Sequence, residues 1–346
     1  MNRVVLLAFV LTFNLYFAGQ VSAEQITLRI HHFLGASSLT QTKLLEPWAA
    51  RVEKASKGRL KVEIHPDMGL GGKAWDLVDQ VSAGTVDMVW TAAAYTPGRF
   101  RNTEVFSLPV VHQGDAVATN LAIRGMLEQE LKEDFKGMYP LLVHVHAGHV
   151  FHMAKKSITG IKDFKGLTLR PPGRKGVGRW TIEALGASPT KKRHPKLPKA
   201  LKQELLDGAL MSFRLADSMG VIYAVTSHTV YGKGGSFGTS LYMFLMNKKR
   251  YETLPDDLKI IIDEQSGRDF AIEIGKVWQQ GSDKGQALAQ KRGSAIHVLG
   301  EQARKDVNAK QLNVLSQWAK QYDRRGITGL EIIEKARRAV KGDEKK

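Results

Sequence analysis

The chain contains no cysteine among its 346 residues. Disulfides, thiolate metal centres and cysteine nucleophiles are therefore excluded, and the fold must be held by its apolar core. Beyond the first two dozen residues there is no long apolar run, so no later segment qualifies as a membrane-crossing helix. Acidic residues are in short supply: 34 Asp and Glu stand against 51 Lys and Arg, a formal charge of +17. Such a surplus steers anions toward the molecule. Nucleic acid is the wrong anion, because the basic residues are spread along the chain rather than clustered with stacking aromatics. Also missing are a His-Glu-x-x-His zinc motif and a Gly-x-x-x-x-Gly-Lys-Ser/Thr phosphate loop, and the one Gly-x-Ser-x-Gly pattern, Gly234-Gly235-Ser236-Phe237-Gly238, leads into a strand-like run rather than a helix and so is no nucleophile elbow. Neither a short-period repeat nor a low-complexity linker is found.

What is present begins with an export signal. Met1-Asn2-Arg3 is a short positive start, Val4 to Gly19 is almost wholly apolar, and Gln20-Val21-Ser22-Ala23 supplies small residues for cleavage after Ala23. More than three hundred residues then remain, which suits two lobes of roughly 150 residues each. With no flexible tether between them, the lobes are expected to be joined by crossing strands.

Short β-rich runs alternate with amphipathic stretches, the pattern of an α/β fold. Ile26–Ile30, Leu60–Ile64 and Val86–Thr91 read as strands, separated by helices over Thr40–Ser56 and Lys73–Ala83. That order predicts a mostly parallel sheet with ligand contacts at the strand C-termini. A second set follows, with strands at Tyr139–His146, Leu167–Arg170, Gly208–Phe213 and Thr239–Met246 and helices at Gly176–Leu185 and Lys199–Leu206. Asp256–Arg292 reads as one long helix or two abutting ones despite Gly267, Gly275, Gly281 and Gly285, and Gln302–Ala339 as a helical pair.

Several short stretches recur in a fixed order: Pro47-Trp48, Gly58-Arg59-Leu60-Lys61-Val62, Ala83-Gly84-Thr85-Val86-Asp87, Thr96-Pro97-Gly98-Arg99-Phe100, Phe106-Ser107-Leu108-Pro109, Phe164-Lys165-Gly166-Leu167-Thr168-Leu169-Arg170, Leu185-Gly186-Ala187-Ser188-Pro189, Asp207-Gly208-Ala209 and Leu254-Pro255. The ordered set resembles the substrate-binding subunits of tripartite ATP-independent periplasmic (TRAP) transporters, the C4-dicarboxylate-binding-protein-like family. The resemblance implies a two-lobe, type II-like α/β periplasmic binding protein with its ligand cleft between the lobes and a long helix spanning both. Asp256–Arg292 is the candidate for that helix. It implies a signal peptide over 1–23, lobe I over 24–146, lobe II over 147–236, a return to lobe I over 237–277, and C-terminal helices over 278–346, mainly in lobe II. It further implies a periplasmic, non-enzymatic protein without cofactor, which captures a small organic acid by lobe closure and delivers it to an ion-gradient-driven TRAP permease. A periplasmic sensor using the same grip, or a periplasmic enzyme on the same fold, are the alternative readings.

Arg170 takes the position of the family's carboxylate-binding arginine, directly before Pro171-Pro172-Gly173. A guanidinium suits the task because its planar fork matches a carboxylate and keeps its charge. His144 and His146 share one strand face, with His149 and His152 close behind. A metal is disfavoured there because no Asp or Glu lies nearby; relatives carry histidines matching His144, His146 and His152, so ligand contact is preferred, with His149 and His152 as the candidates. Relatives often carry a second arginine in this stretch; here there is none, which favours one carboxylate over two. Phe33, Trp90, Tyr95, Phe213 and Phe237 lie at or after strand ends and are expected to wall the pocket, pointing to an aromatic or keto monocarboxylate. Lys191-Lys192-Arg193-His194 reads either as a solvated loop or as an anion- or permease-facing patch.

Overall fold

A computed structural model describes residues 25–173, 175–191, 196–323 and 328–342. The export signal and, within the basic segment, Lys192, Arg193 and His194 lie outside the described residues. Strands β1 Ile26–His32, β2 Leu60–His65, β3 Met88–Ala92, β4 Met138–Val145, β5 Val150–Met153, β6 Thr168–Arg170, β7 Ser188–Pro189, β8 Gly208–Met211, β9 Ser227–Val230, β10 Leu241–Asn247 and β11 Ala295–Val298 form two sheets. Their orders are β2-β1-β3-β10-β4 and β11-β9-β5-β8-β6-β7.

The first sheet is parallel only through β2, β1 and β3; β10 runs antiparallel between β3 and β4. The expected mostly parallel sheet is thus a mixed one. The cause is β10, which arrives late in the chain and enters from the other lobe. All seven residues of β10 are buried, as both covered faces require. Alternation sends Tyr242, Phe244 and Met246 into one apolar cluster with Trp48, Trp90 and Trp278. Leu241, Met243 and Leu245 enter the cluster on the opposite face, with Phe106, Ile123 and Trp318.

The chain leaves the first sheet after Val145, enters the second at Val150, and returns between Val230 and Leu241. These two crossings bond to each other. His149 N donates to Gly238 O at 2.8 Å, the Thr239 hydroxyl donates to His146 O at 2.9 Å, and Ser240 N faces His146 Nε2 at 3.1 Å. The histidine run therefore sits in the hinge.

The long helical region is two helices, Asp256–Gln265 and Arg268–Lys291. Only the second spans both lobes, touching the Ala116–Met126 helix and β4 of the first lobe and the Phe213–Ser218 helix of the second. Its glycines mark close approaches rather than breaks. A Cβ at Gly275 would meet the Val117 backbone at 2.8 Å, and one at Gly285 would meet Phe213 O at 2.7 Å. The C-terminal region departs from the expected lobe II assignment. β11 and Val307 do pack in the second lobe, but Val314, Leu315 and Trp318 of the Glu301–Tyr322 helix and Ile332 and Ile333 of Gly329–Lys341 join the first-lobe core. Apolar residues along the Glu301–Tyr322 helix thus serve one lobe at its start and the other at its end. Among the described residues no helix is long and apolar enough to cross a membrane.

Candidate functional site

Arg170 ends β6, where its register partner is Ala209 of β8. The following Pro172 packs against the next helix so closely that a Cβ at Gly178 would meet its Cγ at 2.2 Å. The fork is therefore carried on fixed backbone. Burial pushes the Arg170 pKa below its ordinary value, with Tyr95 and Tyr242 near enough to oppose the shift. Its Nη1 is buried without a hydrogen-bond partner. Among the described residues it forms no ion pair. An uncompensated buried charge costs several kcal/mol.

A second guanidinium belongs to the same cleft. Ser212 caps the Phe213–Ser218 helix, its hydroxyl accepting from Leu215 N at 3.3 Å, and this turns Arg214 toward the first lobe. The Arg214 guanidinium carbon lies 5.7 Å from the Trp278 ring centroid, its methylenes touch Gly281 of the spanning helix, and its head faces the Tyr242 phenol. Its Nε is buried and unpartnered. A cation over an indole gains about 0.5–2 kcal/mol, and the Tyr242 phenol meets another part of the guanidinium. Tyr242 thus stands within the electrostatic reach of both arginines; burial raises its pKa while the two guanidinia and Ser240 oppose the shift.

First-lobe aromatics form a continuous wall beside these groups. Phe33 stacks on Trp90 at 5.5 Å and meets Tyr95 edge-on at 4.8 Å; Trp90 stacks on Tyr242 at 5.1 Å. The Trp90 indole N–H donates to His144 Nε2 at 3.1 Å, and His144 packs edge-on against Trp278 at 4.6 Å. Tyr95 is 39% exposed and forms the rim. Such flat apolar walls with few polar anchors suit a small aromatic body.

The histidines are neutral because burial outweighs every other influence. It draws His144 and His149 down to about 3 and His112 and His228 to about 4. His146 and His152 are also held well below the usual value, first by burial and then by neighbouring histidines. His149 faces the Ser240 hydroxyl at 3.1 Å and feels the Arg170 charge. His152 donates from Nε2 to Met211 O at 3.2 Å, so its Nδ1 accepts from His228 Nδ1 at 2.7 Å. Among the described residues no three His, Asp or Glu groups converge to hold a metal.

Of the residues expected at the site, Arg170, His149, Trp90, Phe33 and Tyr95 converge at the cleft. Phe213 is buried against His152 and His228, with ring centroids 5.1 Å from each, behind the Arg214 backbone. Two expectations are corrected. Both nitrogens of His152 are engaged within the second lobe, leaving none for a ligand. The Phe237 ring is turned into the core with Phe151, Phe164 and Tyr231; its backbone, not its ring, lies by His149. Reasoning from sequence passed over Arg214, Tyr242, Trp278 and His228. Tyr242 carried a usable signal, a polar-tipped ring on an otherwise apolar strand, and Arg214 follows directly on a residue singled out. An open groove of about 510 Å³ lined by Gly114, Asp115, Val117, Lys276, Gln279 and Gln280 holds none of these cleft groups.

The model of the bacterial extracellular solute-binding proteins, family 7, matches residues 30–343. The chain belongs to that family. A solved TRAP solute-binding protein from an unidentified marine-metagenome microbe, described as specific for aromatic acid ligands and in complex with metahydroxyphenylacetate, is 33% identical with a TM-score of 0.85, covering 93% of this chain and 100% of that one. Another from Rhodoferax ferrireducens T118, with copurified benzoate, is 32% identical with a TM-score of 0.83, covering 92% of this chain and 98% of that one. The outer membrane transporter protein TsaT of Comamonas testosteroni is 21% identical over 318 residues, 90% of this chain and 91% of that protein. This chain is a TRAP solute-binding protein of two-lobe α/β architecture, as its sequence led one to expect.

Proposed function

We propose that the protein captures an aromatic monocarboxylate between its lobes, with Arg170 gripping the carboxylate and Phe33, Trp90, Tyr95 and Tyr242 walling the ring. The observation that carries this reading is the buried Arg170 fork, lacking an acid partner among the described residues and set beside stacked aromatics. The aromatic acids held by the 33% and 32% identical relatives support the same ligand class. Closure removes the ion pair from water, where it strengthens, and the excess positive charge speeds encounter. In this reading the protein is periplasmic, exported by residues 1–23, acts by binding alone, and hands its ligand to an ion-gradient-driven TRAP permease. A thermal-shift screen tests it, since a ligand bound only by the folded state raises stability by mass action. Aromatic and aryl-keto acids raise Tm in the expected result. Shifts with C4 diacids but none with aromatic acids would overturn the ligand class.

A further inference from the structure

The cleft holds one cation more than a single carboxylate needs. Arg214 comes from the second lobe, beyond the capped turn at Ser212, and reaches the first-lobe Tyr242 and Trp278. Its surroundings differ from those of Arg170. The charge of Arg170 acts on His149 and Tyr242, and that of Arg214 on His144, His146 and Tyr242. Tyr242 is the neighbour they share, with the two guanidinia set toward different histidines around it. The Trp278 face meets part of the Arg214 charge, but its Nε donor remains buried and unused. One of its polar neighbours is the neutral Tyr242 phenol, which shows the kind of acceptor this corner already accommodates.

Resting on the reading of Arg170 as carboxylate holder, we propose that Arg214 is a specificity-determining residue that donates to a neutral oxygen on the ligand's body. The ligand class is then a hydroxylated or keto aromatic monocarboxylate rather than its unsubstituted parent. A second carboxylate fits less well. Tyr242 and Trp278 set ring faces beside Arg214, which suit a flat aromatic body. The apolar rings on either side reward a flat body and give little to a second ionised group. A hydrogen bond to a charged donor in such surroundings corresponds to roughly 10- to 100-fold in affinity.

The test is calorimetry on matched acids with wild type, Arg214→Met and Arg214→Lys, each checked for its melting temperature. The acids are benzoate with 3-hydroxybenzoate, phenylacetate with mandelate, and isophthalate as the diacid. In the expected result wild type prefers at least one oxygenated acid to its parent by about 10- to 100-fold. Arg214→Met weakens the oxygenated acid more than its parent and brings that pair within about threefold of each other. Arg214→Lys, which keeps the charge and loses the fork, retains part of the preference and covers the case in which the Met variant fails to fold. Equal binding of both pairs by wild type overturns the proposal, as does equal loss for parent and oxygenated acid in the variants, or tightest binding of isophthalate. If wild type binds none of the aromatic acids, the reading of Arg170 and its aromatic wall falls as well. Binding without preference sinks only the role of Arg214.

Discussion

Gly285 of the spanning helix lies against the backbone of Phe213, so close that an added Cβ would meet its carbonyl oxygen at 2.7 Å. Four residues earlier a Cβ at Gly281 would meet side-chain atoms alone, the flexible methylenes of Arg214 at 3.0 and 3.2 Å and a Leu39 methyl at 3.5 Å. The helix that joins the lobes thus seats the very turn that carries the second guanidinium of the cleft.

These two glycines give contrasting outcomes. Gly285→Ala forces rigid backbone apart and is expected to cost about 1–3 kcal/mol with weaker ligand binding. Gly281→Ala gains about 0.8–1 kcal/mol of helix propensity and displaces only a side chain. It should leave Tm near or above wild type while altering affinity. Denaturant titration and calorimetry check both; a Gly285→Ala variant as stable as wild type would contradict the packing.

Glu104 offers a pH-dependent test. It lies where the Thr103–Ser107 turn, Gly176 and Trp318 meet, and burial, helped by Asp134, pushes its pKa up to about 7 against the Trp318 hydrogen bond. A carboxyl raised in the folded state opposes folding as pH climbs from its ordinary range near 4.5 toward 7 and beyond. Glu104→Gln keeps an acceptor for Trp318 and sheds the charge. Urea unfolding at pH 8.5 should show the variant more stable by about 1–3 kcal/mol, with little difference at pH 4.5. A less stable variant at pH 8.5 is the contrary result.

The buried histidines act in the opposite sense. His112, His144, His149 and His228 are depressed to about 3 or 4, and His146 and His152 are also lowered, all chiefly by burial. The unfolded chain then takes protons first as pH falls below about 6.5, and stability declines through the window down to about 3. Each group contributes up to about 1.4 kcal/mol per pH unit there. Proton NMR should find these six imidazoles silent between pH 5 and 8. Titration midpoints near 6.5 would contradict their burial as neutral rings.

Removing the buried charge of Arg170 should relieve the ligand-free protein. Arg170→Met is expected to raise its melting temperature or leave it unchanged, because the deleted guanidinium has an unpaired Nη1 and no ion pair among the described residues. A large drop in Tm would instead mark Arg170 as structural.

Much of this was legible in the sequence, and the gaps have physical causes. The alternation of short β-rich runs with amphipathic stretches, together with the chain length, exposed the two-lobe α/β plan. The place of β10 was hidden because strand order depends on contacts far apart in the chain, and a late-arriving strand carries no local mark of its partners. The helical glycines looked like weaknesses because their reason, the backbone of Val117 or Phe213, lies elsewhere in the sequence. The C-terminal helices were misplaced for the same reason: an apolar stripe says that a face is buried, not against what. Arg170 was singled out chiefly by the family resemblance, with guanidinium chemistry fitting the role. Arg214 did not, since Gly208–Phe213 read as a continuous strand and the Ser212 cap turns the chain only after Met211. The absence of a second arginine near the histidines was a sound reading of that stretch and misleading about the cleft, because the second guanidinium comes from another element.

The grip of Arg170 on a carboxylate is tested most directly by titrating wild type and Arg170→Met with the tightest-binding acid from the screen, in a calorimeter at neutral pH. The expected result is measurable binding by wild type and a loss of at least about 100-fold in a variant that remains folded, the consequence of deleting a buried charge-paired fork. Affinities within about threefold of each other would contradict it, and the carboxylate would then have to be held elsewhere in the cleft.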